Sequence, residues 1–183
     1  QVAKISREEE DLYTARQKAN EIDRINNNVE ALLSWCRIAE VSGDAKDINL
    51  VKKEVEKYRD SSSVDARNQL FYSLARVYLL HDIASAQKAI ANITDEGLEL
   101  RAEIQCSMVE ALAKKYCFSA AEELADTILP LHKRVEALCL LVRLNSRNER
   151  KLLSKADRLA SRIADPHHKV MALCVVAKTL REE

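Results

Sequence analysis

The sequence is poor in the residues that interrupt regular structure. It has two glycines and two prolines in 183 residues. An all-β sandwich needs many turns, and turns draw heavily on those two types. Their scarcity excludes that class and points to long helices joined by short links. A charge of one sign is also missing, because Lys plus Arg and Asp plus Glu number 29 each. Phosphate and anionic-lipid binding run on uncompensated Lys and Arg, so this balance argues against a general nucleic-acid or membrane-surface binder. No apolar run approaches the length of a membrane span, and no secretory leader opens the chain. A Ser-His-Asp order, a Gly-rich phosphate loop and a metal-binding Cys motif are all missing. The expectation is therefore a protein that is not an enzyme and carries no cofactor.

The five cysteines are odd in number and lie inside helical patterns. They read as free thiols of a reducing, cytoplasmic compartment. Cys139 and Cys174, set among Leu and Val, are expected to be small core residues, and so are Cys36, Cys106 and Cys117. The first residue is Gln1 rather than Met, which reads as a fragment of a longer chain whose targeting signals lie elsewhere.

What the chain has is a repeat. Ala86, Ala89, Ile90 and Ile93 follow the i, i+3, i+4, i+7 spacing of an amphipathic helix. The pattern returns 35 residues on as Ala121, Leu124, Ala125 and Ile128, and again as Ala156, Leu159, Ala160 and Ile163. Between these stretches, Ala102, Ala137 and Ala172 recur at the same period. A fixed period of this length is the mark of stacked helical repeats, and Leu124, Ile128, Leu159 and Ile163 are expected to be buried.

Cap signals divide the chain into ten helices. Ser6-Arg7-Glu8-Glu9 reads as a capping box with a helix starting near Arg7. Asn28 can cap the next helix, and Gly43 suits the left-handed position after it. Asp44 then caps a third. Further starts are expected near Ala120, from a box at Ser119 and Glu122, and near Arg147, from a box at Ser146 and Glu149. Asp165-Pro166 is a cap followed by Pro at the first helical position. The expected fold is all-α, a right-handed α-solenoid of antiparallel helix pairs forming one repeat domain over 1–183.

Helix pairs of 35 residues with Ala86, Ala121 and Ala156 early in the second helix resemble the tetratricopeptide-like repeat superfamily over roughly residues 29–182. The usual repeat has 34 residues, a Gly in its first helix and a regular aromatic pattern. Here that Gly is absent and Tyr78 and Tyr116 are scattered, so the resemblance is to the superfamily rather than the family proper. It implies a protein-binding scaffold. The same period occurs in pentatricopeptide repeats, which read RNA, but zero net charge and the apolar stretch Val135–Val142 disfavour nucleic acid.

Charge is distributed unevenly along the chain. Residues 133–162 hold nine basic and three acidic side chains, whereas residues 31–132 hold 12 and 16. Glu99, Glu103 and Glu110 fall on one helix face beside Ala102, Cys106 and Val109, as a groove lining for a basic peptide would. Lys155, Arg158 and Arg162 make a basic stripe on a second helix and read as plain surface. The candidate partner-binding residues are Glu99, Glu103, Glu110, Arg143 and Arg147. His132 and His167 are one repeat apart with His168 adjacent, and are expected about 10 Å apart, too far to share a metal. Val170 to Ala177 contains no polar residue, so this last helix needs a cover or self-associates. The function expected is a scaffold that holds a peptide or helix of a partner protein. An all-α regulatory or catalytic domain with a small-molecule pocket is the alternative, and an RNA-binding array the third.

Overall fold

A computed structural model describes residues 2–24, 28–79, 81–144 and 148–181. Among these residues there are ten α-helices and no strand, as the turn-poor composition requires. The chain divides into two compact units, residues 1–97 and 98–183.

The first unit holds α1 (Val2–Arg24), α2 (Asn28–Ser42), α3 (Ala45–Glu56), α4 (Val64–Leu79) and α5 (Ile83–Ile90), followed by a short 3-10 turn at Asp95–Gly97. α2 packs on α1, α3 and α4, and α4 packs on α3 and α5. Small side chains at Ala31, Cys36 and Ala39 on α2, and at Ala75 on α4, are fully buried and let backbones approach. Phe71, Leu70 and Leu74 of α4 fill the space they leave.

Two of the cap signals form here. Gly43 takes φ 62° and donates its N–H to Ala39 O at 3.1 Å, closing α2. Asp44 then accepts the Lys46 N–H at 2.8 Å and opens α3. The helix expected to start near Arg7 begins earlier, because α1 opens at Val2 and Arg7 lies inside it. Nothing in Val2–Ser6 stops a helix, so the chain coils upstream of Ser6 rather than starting there. The Asn26–Asn27 turn lies outside the described residues, as does the Asn28 side chain.

A buried clasp fastens the end of this unit. Asn68 of α4 donates Nδ2–H to Thr94 Oγ1 at 3.0 Å, and its Oδ1 accepts the Thr94 N–H at 3.0 Å. Gly97 presses against it: a Cβ there would lie 2.5 Å from Ile93 Cγ2 and 2.8 Å from Asn68 Nδ2.

The second unit holds α6 (Leu98–Lys114), α7 (Phe118–Thr127), α8 (Leu131–Leu144), α9 (Glu149–Ser161) and α10 (Pro166–Arg181). α8 packs on α6, α7, α9 and α10. α6, α8 and α10 therefore stand side by side, with α7 and α9 behind. Ala102, Ala137 and Ala172 are buried on the three successive row helices, and Ala121 and Ala156 on the two behind. The alanines that recur every 35 residues are thus core residues in this unit. Asp126 on α7 pairs with Lys155 on α9, and Asn148 Nδ2 donates to Glu122 Oε1 at 3.3 Å.

Ile128 and Ile163 are buried as expected, but Leu124 and Leu159 are only half-buried. At 100° per residue Leu124 sits about 60° from the centre of its stripe, on the rim where α7 meets solvent. α7 also starts earlier than its box. Tyr116 takes φ 61°, with Tyr116 N–H donated to Ala113 O and Cys117 N–H to Leu112 O, both at 2.9 Å. This left-handed turn closes α6 and feeds the chain straight into α7 at Phe118. Ser119 therefore falls inside the helix and bonds Glu123 instead of capping. Ser146 and Arg147 lie outside the described residues, and Asn148 before α9 makes no side-chain cap.

Tyr116 is a β-carbon residue in a conformation that glycine takes freely, and it is 85% exposed. Tyr116→Gly should stabilise the fold by about 0.5–1 kcal/mol and raise the thermal midpoint by a few degrees. A lowered midpoint would show that the edge contact of Tyr116 with Phe118 outweighs the backbone strain.

Candidate functional site

The row α6, α8, α10 carries most of the side chains singled out from the sequence. Glu99 and Glu103 are exposed on α6, and Glu110 is half-exposed and paired with Lys114 one turn on. Glu103 and the α8 residue Glu136 lie close enough to act on the Cys106 thiol. Burial, with the added charge of these carboxylates, pushes that thiol up to about 11. Cys106 Sγ donates to Lys133 O at 3.6 Å, tying α6 to α8. Lys133 bonds Glu136 at 3.0 Å; burial lowers its ammonium, but the Glu136 bond and charge outweigh that and leave it raised. The acidic patch therefore extends from α6 onto α8 with Lys133 set into it. Arg143 is exposed in the last turn of α8, apart from these carboxylates in sequence, and its charge acts on the Cys139 thiol. Arg147 lies outside the described residues. On α9, Lys155 is taken up by Asp126 and Arg158 bonds its own helix, so that basic stripe is surface.

The histidines are arranged differently from the expectation. His132 and His168 stack with ring centroids 4.1 Å apart and planes 3° from parallel, whereas His167 stands 5.8 Å from His168 and tilted. His132 and His168 are 36 residues apart, one more than the sequence period, so His168 rather than His167 meets His132. Glu99 Oε2 lies 3.6 Å from His132 Nε2, and Asp165 Oδ1 lies 3.1 Å from His168 Nδ1. Asp165 also accepts the His168 N–H at 2.8 Å, and that bond holds its carboxyl below the usual range. A line of Glu99, His132, His168 and Asp165 thus crosses three helices at their first turns. Stacked rings direct their in-plane nitrogens side by side rather than at one point. Among the described residues no group of three or more His, Cys, Asp or Glu is placed to hold a metal ion.

α10 is the one row helix whose apolar residues are largely uncovered. Ala172, Val176 and Thr179 are buried, but Val170 is 61% exposed, Leu180 54% and Met171 48%. Cys174 is exposed too, against the expectation of a core thiol. α8 has the same apolar sequence and is covered, because it packs on four helices of this unit whereas α10 packs on α8 and α9. Cys117 is likewise exposed, Cys106 half-buried, and Cys36 and Cys139 are buried. Burial pushes the Cys36 thiol up to about 12, and also raises Cys139 against the opposing pull of Thr179 and Arg143. Of the five thiols, Cys117 and Cys174 are the two that solvent reaches freely.

The first unit also holds a hollow that residue spacing does not foretell. It has a volume of about 470 Å³ and is lined by Trp35 of α2, Leu50 and Glu54 of α3, and Lys57 and Tyr58 just after. Trp35 is the single tryptophan of the chain. Its meeting with Tyr58 depends on how α2 and α3 fold back on each other, which residue spacing alone does not specify. Among the described residues no helix is long and apolar enough to cross a membrane. No family model, curated protein or solved structure matches the chain.

Proposed function

We propose that the chain is a protein-interaction scaffold that holds a peptide or helix of a partner protein on the surface formed by α6, α8 and α10. In this reading the helix pairs continue as a right-handed solenoid of the tetratricopeptide-like kind. The observation that carries it is the exposed side of this row, where Glu99, Glu103 and Glu136 gather beside Lys133 on α6 and α8. Side-by-side helices present such a face without any further loop or cofactor, and carboxylates at its rim select basic segments.

The test compares the proteins retained from a cell lysate by the wild-type chain and by a variant carrying Glu99→Lys, Glu103→Lys and Glu110→Lys. Exposed positions on helices tolerate Lys, so circular dichroism should stay unchanged. Partners held by the wild type should be lost from the variant. Retention of the same set by both would sink the assignment to this face. The hollow beside Trp35 supports a second reading, a small-molecule site in the first unit, since its volume lies in the usual range for ligand pockets. A saturable change in Trp35 emission on adding a metabolite extract would favour that reading.

A further inference from the structure

We propose that the hollow beside Trp35 binds a neutral sugar, with one face of a pyranose ring against the aromatic side chains and its hydroxyls bonded by Asn20, Tyr58 and the Glu54–Lys57 pair. The inference rests on the small-molecule reading of the first unit and names the ligand class for it. Three helices contribute to the hollow. α1 gives Asn20, α2 gives Trp35, and α3 with the residues just after it gives Leu50, Glu54, Lys57 and Tyr58. Trp35 and Tyr58 are both half-buried, so each ring is held by the fold and still leaves surface open.

The charges of the lining exclude ionic ligands. Among the described residues that line the hollow, Glu54 and Lys57 are the charged ones, and they pair with each other. An anion drawn to Lys57 meets Glu54, and a cation drawn to Glu54 and the aromatic faces meets Lys57. The hydrogen-bonding groups exclude a purely apolar ligand. The Asn20 amide, the Trp35 indole N–H and the Tyr58 hydroxyl are engaged by no other group among the described residues. A ligand without polar atoms would strip water from them and return nothing. What remains is a neutral molecule with donors, acceptors and a flat apolar face. A pyranose has that form, because its C–H face lies well on indole and phenol rings and each hydroxyl both donates and accepts. The amide, the phenol and the carboxylate–ammonium pair likewise offer both. They come from separate elements, which suits hydroxyls set around a ring better than the single hydrogen-bonding edge of a nucleobase.

Trp35 is the single tryptophan, so its emission reports on this hollow alone. The experiment titrates the full chain with glucose, galactose, mannose, N-acetylglucosamine, maltose and cellobiose, and with glucosamine, glucuronate and adenosine as controls. At least one neutral sugar should change the emission saturably, with a Kd of about 1 mM. The two charged rings should bind at least about tenfold more weakly, and adenosine should give no saturation. Asn20→Ala and Tyr58→Phe should each weaken the sugar about fivefold. Circular dichroism and the thermal midpoint should stay the same in both, because Asn20 is exposed and the Tyr58 hydroxyl bonds nothing in the fold. A panel without a saturating neutral sugar overturns the proposal. So does a charged ring or adenosine that binds as tightly as the best sugar, and so do two variants that keep wild-type affinity. Saturation by a metabolite extract while every neutral sugar stays silent would discard this inference and leave the small-molecule reading standing. Silence of the extract as well would remove both.

Discussion

Phe71→Ala should cost the fold about 3–5 kcal/mol, close to the upper end for a single core truncation. Phe71 has no exposed surface and is the largest fully enclosed side chain among the described residues. It lies on α4, which packs on α2, α3 and α5, so the void left by its ring is walled by several helices and cannot collapse from one side. Trp35 lies in the same unit and gives the readout, as a shift of the urea midpoint of its emission to lower denaturant. A loss below about 1 kcal/mol would mean that the neighbours close over the gap and that α4 is not the centre of its unit.

Gly97→Ala should cost about 2–4 kcal/mol, far more than a glycine-to-alanine change at an exposed position. The added carbon would sit 2.5 Å from Ile93 Cγ2, and Ile93 is itself enclosed in the core. Its other neighbour is the Asn68 amide, which cannot retreat without giving up both bonds to Thr94. Breaking that clasp would leave the half-buried Thr94 N–H without its acceptor, a loss of about 0.5–1.5 kcal/mol. The clash and the clasp share atoms, so Gly97→Ala combined with Asn68→Ala should cost less than the sum of the two single changes. Additive losses in a double-mutant cycle of urea midpoints would show that Gly97 and Asn68 act separately.

The helical class and the buried alanines were legible in the sequence because both depend on the spacing of small and apolar residues. Ala102, Ala137 and Ala172 are buried on successive row helices, and Asp44 and Asp165 cap where their side chains fall next to free amides. What spacing does not carry is which side chains meet across two helices. It did not specify that His168 rather than His167 stacks on His132. Backbone conformation was the second gap, since the left-handed Tyr116 moved the start of α7 ahead of its capping box. The third was the number of neighbours. Cys139 and Cys174 both stand in an Ala-Leu-Cys run, yet one is buried on a helix with four neighbours and the other is exposed on a helix with two. The acidic residues of α6 were correctly placed on an exposed face, but their extension onto α8 through Lys133 and Glu136 required the row itself.

The line of Glu99, His132, His168 and Asp165 has a consequence for the field at one edge of the second unit. It marks the place where α6, α8 and α10 all begin, so three backbone dipoles bring their positive ends together there. Each such end attracts a carboxylate by about 0.3–1 kcal/mol at an exposed site. α8 has no acidic residue in its own first turn, and Glu99 of α6 stands against the His132 ring there. Glu99 therefore serves a second helix besides its own, while Asp165 serves α10 through the His168 amide. The carboxylate that the start of α8 lacks is supplied by its neighbour.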